Sequence, residues 1–355
     1  MGIPGVQVSF RENASTFIAR SQKGAAGLII KDDGTTPGAY ILTKEDEIPQ
    51  GLSEENKTYV KRAFVGGREK PQRVIIYVLA TADERGIAPA LAYFETADAA
   101  YIAGSCTCDS EEATEIATWI QMQREDGKCV RAVLPNHKGD NPGIINFTQS
   151  GIEENGKPCD TAAYCSRIVG LLCGTPMTES ITYKELGELT AVSYHSRKEL
   201  ETKMQAGELC LFTDGESVRV LSGVTSLVSK GNYPQGFKKI KILEIADMIA
   251  KDIQKTARNT YLGRLSNSYD NKCVLMTAIK TYLTGLEREG LLETGTSNVD
   301  IDLAAQETYL KNTGVDTTEM TEDEIRKAST GDSVFLAVSI RPLDAIENIV
   351  VLITM

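Results

Sequence analysis

The middle of the chain alternates between two kinds of apolar pattern. Residues 99–105 and 130–134 are short apolar runs with the length of buried strands. Between them, Ser110 is suited to cap a helix that ends at Gly127. Strands that alternate with helices in this way form a sheet covered by helices, so we predict an α/β layer over residues 91–230.

The later part of this layer follows the same pattern. Residues 144–147 are predicted to form another strand, and Asp160 or Thr161 is predicted to open the next helix. Asp214-Gly215 separates two apolar runs, which is a short-range signal for a β-hairpin.

The first ninety residues show mainly the two-residue period of strands. Val6, Val8 and Phe10 alternate with polar residues, and the later run RVIIYVL is β-branched and long enough to be buried. We therefore predict an N-terminal arm over residues 1–25 and a β-rich domain over residues 26–90.

Turn-forming residues cluster at 231–236 and indicate a boundary, so residues 231–355 are predicted to form a separate domain of helices and strands. The predicted elements are helices over 245–253, 275–286 and 321–328 and a strand over 334–340.

The last seven residues, 349–355, are apolar or uncharged and have the composition of a strand. A strand of this kind leaves a sheet edge that can pair with other chains. Either it is tucked into the sheet of its own subunit, or it completes the sheet of a neighbour by β-augmentation.

Charge and composition exclude several classes of protein. The chain has 38 Lys and Arg against 49 Asp and Glu, a net charge of 38 − 49 = −11, which disfavours direct nucleic-acid contact. No stretch approaches the length of a membrane span, and the start lacks the pattern of a secretory signal. Eight cysteines spread through a long chain indicate a reducing compartment rather than a disulfide framework.

Residues 151–157 fit the spacing G-x-x-x-x-G-K of a phosphate-binding loop. The next position should be Ser or Thr to hold magnesium, but it is Pro158, which also lacks an N–H group. Glu153 and Glu154 would repel a phosphate, so we interpret the segment as a surface loop.

The sequence gives only weak signals for a zinc site, a catalytic histidine or a nucleic-acid-binding patch. Cys106 and Cys108 could bind zinc only if Cys129 and His137 converged on them, so a buried strand end is favoured and no metal is expected. His195 has no recognisable nucleophile elbow or orienting acid nearby and is interpreted as a surface-loop or helix-start residue. The lysines of residues 238–241 are interpreted as a solvated strand face. We predict no catalytic, cofactor-binding or metal site.

The chain also carries segments whose order and spacing resemble one known family. They are FKKIKILEIADMIAKDI at 237–253, YLGRLSN at 261–267, the helix ending in LEREG at 275–290, DGESVRV at 214–220, GVTSL at 223–227, GIPGV at 2–6, and Pro342 followed by ENI at 347–349. These segments resemble contractile phage tail sheath proteins, and the likeness extends over nearly the whole chain. Within the family, it is greatest to the sheaths of Bacillus and Clostridium-type phages, defective prophages and phage-tail-like bacteriocins.

The resemblance implies an α+β and α/β multidomain fold. Its parts would be an N-terminal β-sandwich, a central subtilisin-like α/β layer without protease activity, and a C-terminal α+β sheath domain over residues 231–355. Extended terminal arms would exchange strands between subunits. The expected exchange residues are Val6, Val8, Phe10, Ile349, Val351 and Ile353.

The function that the resemblance implies is structural and not enzymatic. Subunits would polymerise as stacked rings around a tail tube and contract to drive the tube through the target envelope. The expected partners are other copies of the chain, the tail tube protein, and the baseplate and tail terminator proteins. The particle would be assembled in the bacterial host cytoplasm, and Arg326 and Lys327 would be possible tube contacts, although a solvated helix end is the alternative.

Two other functions remain open at the level of sequence. The α/β layer is compatible with a cytosolic nucleotide-binding enzyme, and the whole chain is compatible with a non-contractile interaction module.

Overall fold

A computed structural model of the protein describes Ile18 and residues 24–229, 231 and 233–354. The predicted arm residues Val6, Val8 and Phe10 lie outside this range. The chain divides into two compact units, with boundaries after Met248 and after Leu343. We call residues 24–248 with 344–354 the sheet unit, and residues 249–343 the helical unit.

The described strands are β1 (Ala25–Lys31), β2 (Gly38–Leu42), β3 (Val74–Leu79), β4 (Ala99–Ala103), β5 (Arg131–Pro135), β6 (Ile144–Phe147), β7 (Ile152–Glu154), β8 (Lys157–Cys159), β9 (Leu189–Ala191), β10 (Glu208–Leu209), β11 (Leu211–Thr213), β12 (Val218–Val220), β13 (Asn298–Ile301) and β14 (Leu336–Ser339). The described helices are α1 (Glu54–Val65), α2 (Ala88–Phe94), α3 (Ser110–Glu125), α4 (Thr161–Cys173), α5 (Arg197–Gln205), α6 (Ile240–Thr256), α7 (Tyr269–Arg288), α8 (Leu303–Asn312) and α9 (Glu322–Lys327).

A seven-stranded sheet forms the centre of the sheet unit, with the strand order β10-β6-β5-β4-β1-β3-β2. Every neighbouring pair is parallel except β2 and β3. Consecutive residues of β1 point to opposite faces: Leu28 and Ile30 join one apolar cluster and Ile29 joins the other. Because both faces are covered, the central strands β1, β3 and β4 are mostly apolar on both faces and do not alternate between apolar and polar residues.

Helices cover the two faces of this sheet. Tyr59 of α1 and Tyr164 of α4 belong to one apolar cluster, while Phe94 of α2 and Ile116 of α3 belong to the other. The predicted α/β layer is therefore present. The observed hairpin of β11 and β12 also matches the prediction made from Asp214-Gly215.

The structure differs from the expected β-rich domain at residues 26–90. Strands β1, β2 and β3 belong to the seven-stranded sheet, and no separate β-sandwich is formed by the described part of this range. Two helices also lie here, α1 and α2. Helix α1 is not predicted above, although its sequence has the helical period. Tyr59, Val60, Ala63 and Phe64 are buried on one side, and Ser53 caps the helix by accepting a hydrogen bond from Asn56 N–H.

The helical unit contains long and short helices and a two-stranded antiparallel sheet. The predicted helices are observed as the later part of α6, α7 and α9, and β13 pairs with β14 from Asn298↔Ser339 to Ile301↔Leu336. One turn of π-helix, Ala257–Tyr261, follows α6. Within the described residues, no helix is long and apolar enough to cross a membrane.

Candidate assembly surface

The C-terminal segment 345–354, which we call the C-terminal arm, is the most exposed apolar part of the described chain. It belongs to no helix or strand. The predicted exchange residues Ile349, Val351 and Ile353 are 72–79% exposed, and Val350 and Leu352 are 96% and 90% exposed. Isolated exposed leucines are ordinary, but a contiguous run of this kind marks an interaction site.

The base of this arm is fixed to the sheet unit. Glu347 forms an ion pair with Lys239, and its other carboxylate oxygen accepts a hydrogen bond from Thr182 Oγ1 at 2.8 Å. Thr182 Oγ1 is itself held in place, because it accepts a hydrogen bond from Gly223 N–H at 2.9 Å. We call Glu347, Lys239 and Thr182 the arm clamp; the residues beyond it extend into solvent.

The arm clamp is not predicted from the sequence, and the predicted strand face at its lysine is wrong. Residues 238–241 are not a strand face: a 3₁₀ turn, Gln235–Lys238, leads into α6 at Ile240. Ile240 and Leu243 are buried at helical spacing, which explains the helix. Lys239 itself is extended and forms an isolated β-bridge with Val224, between the 3₁₀ turn and α6, and its local sequence does not indicate its distant partner Glu347.

The helical unit offers a complementary feature, the two-stranded antiparallel sheet of β13 and β14, to which no third strand is added among the described residues. Along β14, Ala337, Val338 and Ser339 are exposed and only Leu336 is half-buried. The outer edges of an isolated two-stranded sheet present backbone N–H and C=O groups to no further strand, and such edges are templates for an added strand.

The predicted tube-contact residues lie on α9, and both already pair with carboxylates. Arg326 Nη1 contacts Asp300 Oδ1, and Lys327 Nζ lies 2.6 Å from Asp323 Oδ2. These ion pairs raise the pKa of both basic groups. Their role as tube contacts stays a prediction.

The edge of the sheet where an α/β enzyme would bind a ligand is occupied by the protein's own polar groups. Strand order reverses around β1, and ligands of open α/β sheets bind at the carboxyl ends of strands at such points. Here Lys31 Nζ donates to Glu112 Oε2 at 2.6 Å, and the Ser105 hydroxyl donates to the same oxygen at 2.9 Å. The polar groups that end β1 and β4 are therefore engaged with each other.

Asp32, directly after β1, is also fully engaged. Its carboxylate accepts hydrogen bonds from Gly34 N–H, Ser53 N–H and Asn56 Nδ2, each at 2.8 Å. Burial acts to raise its pKa, but these hydrogen bonds outweigh burial and lower the pKa of Asp32 to about 2. At neutral pH this carboxylate is thus an ionised anchor of the loop, with a pKa far from that of a general base.

The segment with phosphate-loop spacing folds as a β-hairpin. Strands β7 and β8 pair with Ile152 opposite Cys159, and the turn residues Asn155 and Gly156 have φ values of 51° and 76°. This conformation is that of a tight hairpin turn and explains the Asn-Gly pair. The hairpin does not continue into a helix at its second glycine, as a phosphate-binding loop would.

The cysteines and His195 take structural positions. Cys106 and Cys108 are buried after β4; burial raises the pKa of Cys106 to about 11 and also raises that of Cys108. All eight cysteines are free thiols. Within the described residues, no group of three or more His, Cys, Asp or Glu side chains is placed to hold a metal ion. His195 precedes Ser196, the cap of α5, as expected for a helix-start residue.

Comparisons with known proteins give consistent results. Residues 233–355 match the family described as the phage tail sheath C-terminal domain. A tail sheath protein of Clostridium phage phiCD119 is 35% identical over 356 residues, covering 98% of each chain.

Solved structures show the same fold at low identity. The sheath tail protein of Desulfitobacterium hafniense has a TM-score of 0.67 at 15% identity, covering 84% of this chain and 94% of that one. The helical sheath of the anti-feeding prophage in its contracted state has a TM-score of 0.73 at 14% identity, covering 100% of this chain and 99% of that one.

Proposed function

The chain belongs to the tail sheath proteins, the structural proteins of phage tails and related contractile particles, and from this premise we propose how it works. Copies polymerise as stacked rings around a tail tube, and contraction of this sheath drives the tube through the target envelope. The observation that carries the proposal is the exposed apolar C-terminal arm, which is anchored at its base and extended beyond it.

The arm acts by strand exchange between subunits. Ile349, Val351 and Ile353 alternate along the arm, so one face of an added strand would carry all three. The acceptor is the antiparallel sheet of β13 and β14 in a neighbouring subunit, whose outer edges pair with no third strand among the described residues. Val6, Val8 and Phe10 are proposed to play the same part in the N-terminal arm over residues 1–25.

A single arm contributes little net affinity. Full burial of three aliphatic side chains stabilises by about 1.5–3 kcal/mol each, which is an upper estimate. Ordering five residues of backbone costs about 1–2 kcal/mol each. These terms nearly cancel, so one contact is weak, whereas a subunit held by several arms gains from effective concentration. Arms of this strength connect subunits without preventing them from rotating.

Contraction requires stored free energy and no nucleotide. We propose that the extended sheath is metastable, held by the tube, baseplate and terminator, and that contraction buries more surface between subunits. Subunits rotate as rigid bodies while the arms keep them connected. The engagement of Asp32, Lys31 and Glu112 with the protein's own groups supports a non-enzymatic role.

We retain residues 231–355 as the conserved sheath domain, supported by the family match to residues 233–355. We also propose that the central layer is subtilisin-like and that assembly takes place in the bacterial host cytoplasm. Arg326 and Lys327 remain proposed contacts to the tube.

Electron microscopy of the concentrated full chain tests the proposal. The expected result is rings or tubes, and their loss when residues 1–20 and 345–355 are removed. Tubes that persist after both deletions would contradict strand exchange by the arms. A large stabilisation by nucleotides in thermal unfolding would instead favour an enzyme.

A further inference from the structure

A cavity of about 430 Å³ lies within the helical unit, between the π-helical turn, the start of α7 and the start of β14. Its walls are mostly aliphatic and include Leu262, Leu265, Leu275 and Val334. Leu262 and Leu265 are 67% and 42% exposed, so the cavity opens to solvent on their side. A volume of this size with a lining of this kind is typical of a binding site for a small organic molecule.

The main polar feature of the cavity is a buried lysine without a counter-ion. Lys272 lines the cavity and is 3% exposed. Its Nζ donates to Thr330 Oγ1 at 2.9 Å and lies 3.5 Å from Gln306 Oε1, and both of these partners are uncharged. Among the described residues it forms no ion pair, and burial lowers its pKa. Because a buried cation is costly unless it is paired, the site favours a ligand that brings a negative charge.

Two further polar groups in the lining have unused hydrogen-bonding capacity. The hydroxyl of Tyr261 is buried and has no hydrogen-bond partner in the described part of the chain. The same holds for Oδ1 of Asn267, whose Nδ2 donates to Gly331 O at 2.9 Å and to Ser333 O at 2.8 Å. Buried polar atoms without partners are rare in native proteins, and a polar ligand in the cavity accounts for these two.

We propose that this cavity binds a small aliphatic carboxylate. The carboxylate pairs with the Lys272 ammonium, and the hydroxyl of Tyr261 is a second donor in the same lining. The alkyl chain of the ligand lies against the leucine and valine side chains of the walls, which removes apolar surface of both from water. The proposal does not rest on the proposed function, because it concerns one unit of a single copy of the chain.

The charges of the lining select a monocarboxylate over other ligands. Lys272 is the only cation among the described lining residues, and Asp332 also lines the cavity. One lysine beside a carboxylate does not compensate the two charges of a phosphate, for which proteins commonly use several basic groups or backbone N–H groups. A neutral hydrocarbon would fill the apolar walls but leave Lys272 unpaired. A ligand with one negative charge and an alkyl chain satisfies both parts of the site.

Isothermal titration calorimetry of the full chain tests the proposal, with octanoate as the probe and the protein kept below the concentration at which it polymerises. The comparison ligands are 1-octanol, which has the same alkyl chain without the charge, and octylammonium, which has the opposite charge. We expect octanoate to bind at least about tenfold more tightly than either. Equal binding of the three ligands, or no binding of octanoate at millimolar concentration, would overturn the proposal.

Replacement of the lysine tests the charge pair directly. In Lys272→Met we expect the binding of octanoate to weaken about tenfold or more, and the binding of 1-octanol not to weaken. Lys311→Met is the matched control, because Lys311 lies on α8 outside the lining and is 59% exposed. Circular dichroism checks that both variants fold. An unchanged affinity of Lys272→Met for octanoate contradicts the proposal.

A second pair of variants gives a test that leaves the buried lysine in place. Leu265→Asp puts a negative charge at the opening of the cavity, and Val315→Asp puts the same charge elsewhere on the helical unit, both residues being 42% exposed. We expect L265D to weaken the binding of octanoate about tenfold or more and V315D to leave it unchanged. Equal affinities of the two variants for octanoate would show that it binds outside the cavity.

Discussion

A buried charge network in the sheet unit allows one prediction to be worked out in detail. Arg131 on β5 lies 3.6 Å from Glu244 and 3.3 Å from Asp247, both on α6. Its guanidinium also donates to Tyr101 OH at 2.8 Å and lies 4.5 Å from the centre of that ring. Arg124 pairs with Asp247 through two contacts of 2.9 and 3.0 Å.

The perturbation is Arg131→Met, which keeps much of the side-chain length and removes the charge. The Arg131 side chain is 7% exposed, and Glu244 and Asp247 are 4% and 7% exposed, so solvent cannot replace the lost partner. Removing one member of a buried ion pair costs about 3–5 kcal/mol, because the opposite charge is left in a medium of low dielectric. For a unit of this size that corresponds to a fall in melting temperature of about 6–20 °C.

Trp119 provides the assay. It is the only tryptophan of the chain and lies on α3, so its fluorescence reports the sheet unit during thermal unfolding. Arg197→Met is the matched control, because Arg197 is 93% exposed in its pair with Glu201 and such pairs contribute at most about 1 kcal/mol. A loss for Arg131→Met no larger than that for Arg197→Met would refute the reasoning that the network is desolvated.

Three further predictions use other parts of the sheet unit. Asp32→Asn should destabilise the protein by about 2 kcal/mol at neutral pH, because the pKa of this carboxyl is lowered from 3.8 to about 2 in the folded protein. Its stabilising effect is present above pH 3.8 and is lost as pH falls towards 2. Urea unfolding at several pH values should show this loss of stability in the parent protein and not in the variant. Glu347→Gln should release the arm clamp, which hydrogen exchange would detect as faster exchange around Lys239, while a Glu201→Gln control leaves exchange there unchanged. Cys106 and Cys108 should react with iodoacetamide at pH 8 only after unfolding, because burial raises the pKa of both thiols. If they react in the native protein as fast as a free thiol, the two side chains are not buried.

The elements that could be predicted from the sequence are those with a local signal in their own residues. The apolar run at 144–147 is strand β6, and Asp160 and Thr161 mark the start of α4, because a continuous apolar run and a helix cap are local signals. Helix α1 carries equally local signals, Ser53 followed by buried Tyr59 and Phe64, and could have been predicted from them.

Other features depend on residues that are distant in sequence. Nothing around Lys239 indicates that Glu347, more than a hundred positions later, is its partner. In the sheet, β1 lies between β3 and β4, although α1 separates β1 from β3 along the chain. The local sequence of these strands does not indicate this order. For the candidate assembly surface, the apolar run at the C-terminus indicated the arm, whereas the ion pair between Lys239 and Glu347 that holds the base of the arm forms only after folding.

The arm clamp also limits the geometry of any sheath built from this chain. Six residue steps separate Glu347 from Ile353, the last of the proposed exchange residues, and an extended chain spans at most about 3.3–3.6 Å per residue. If the arm docks on a neighbour as proposed, the site that holds Ile353 must therefore stay within about 20–22 Å of Glu347 while the clamp is closed. A rotation that carries the site farther must either open the clamp or detach the strand, so the tether length sets an upper limit on how far neighbouring subunits can move while they remain joined.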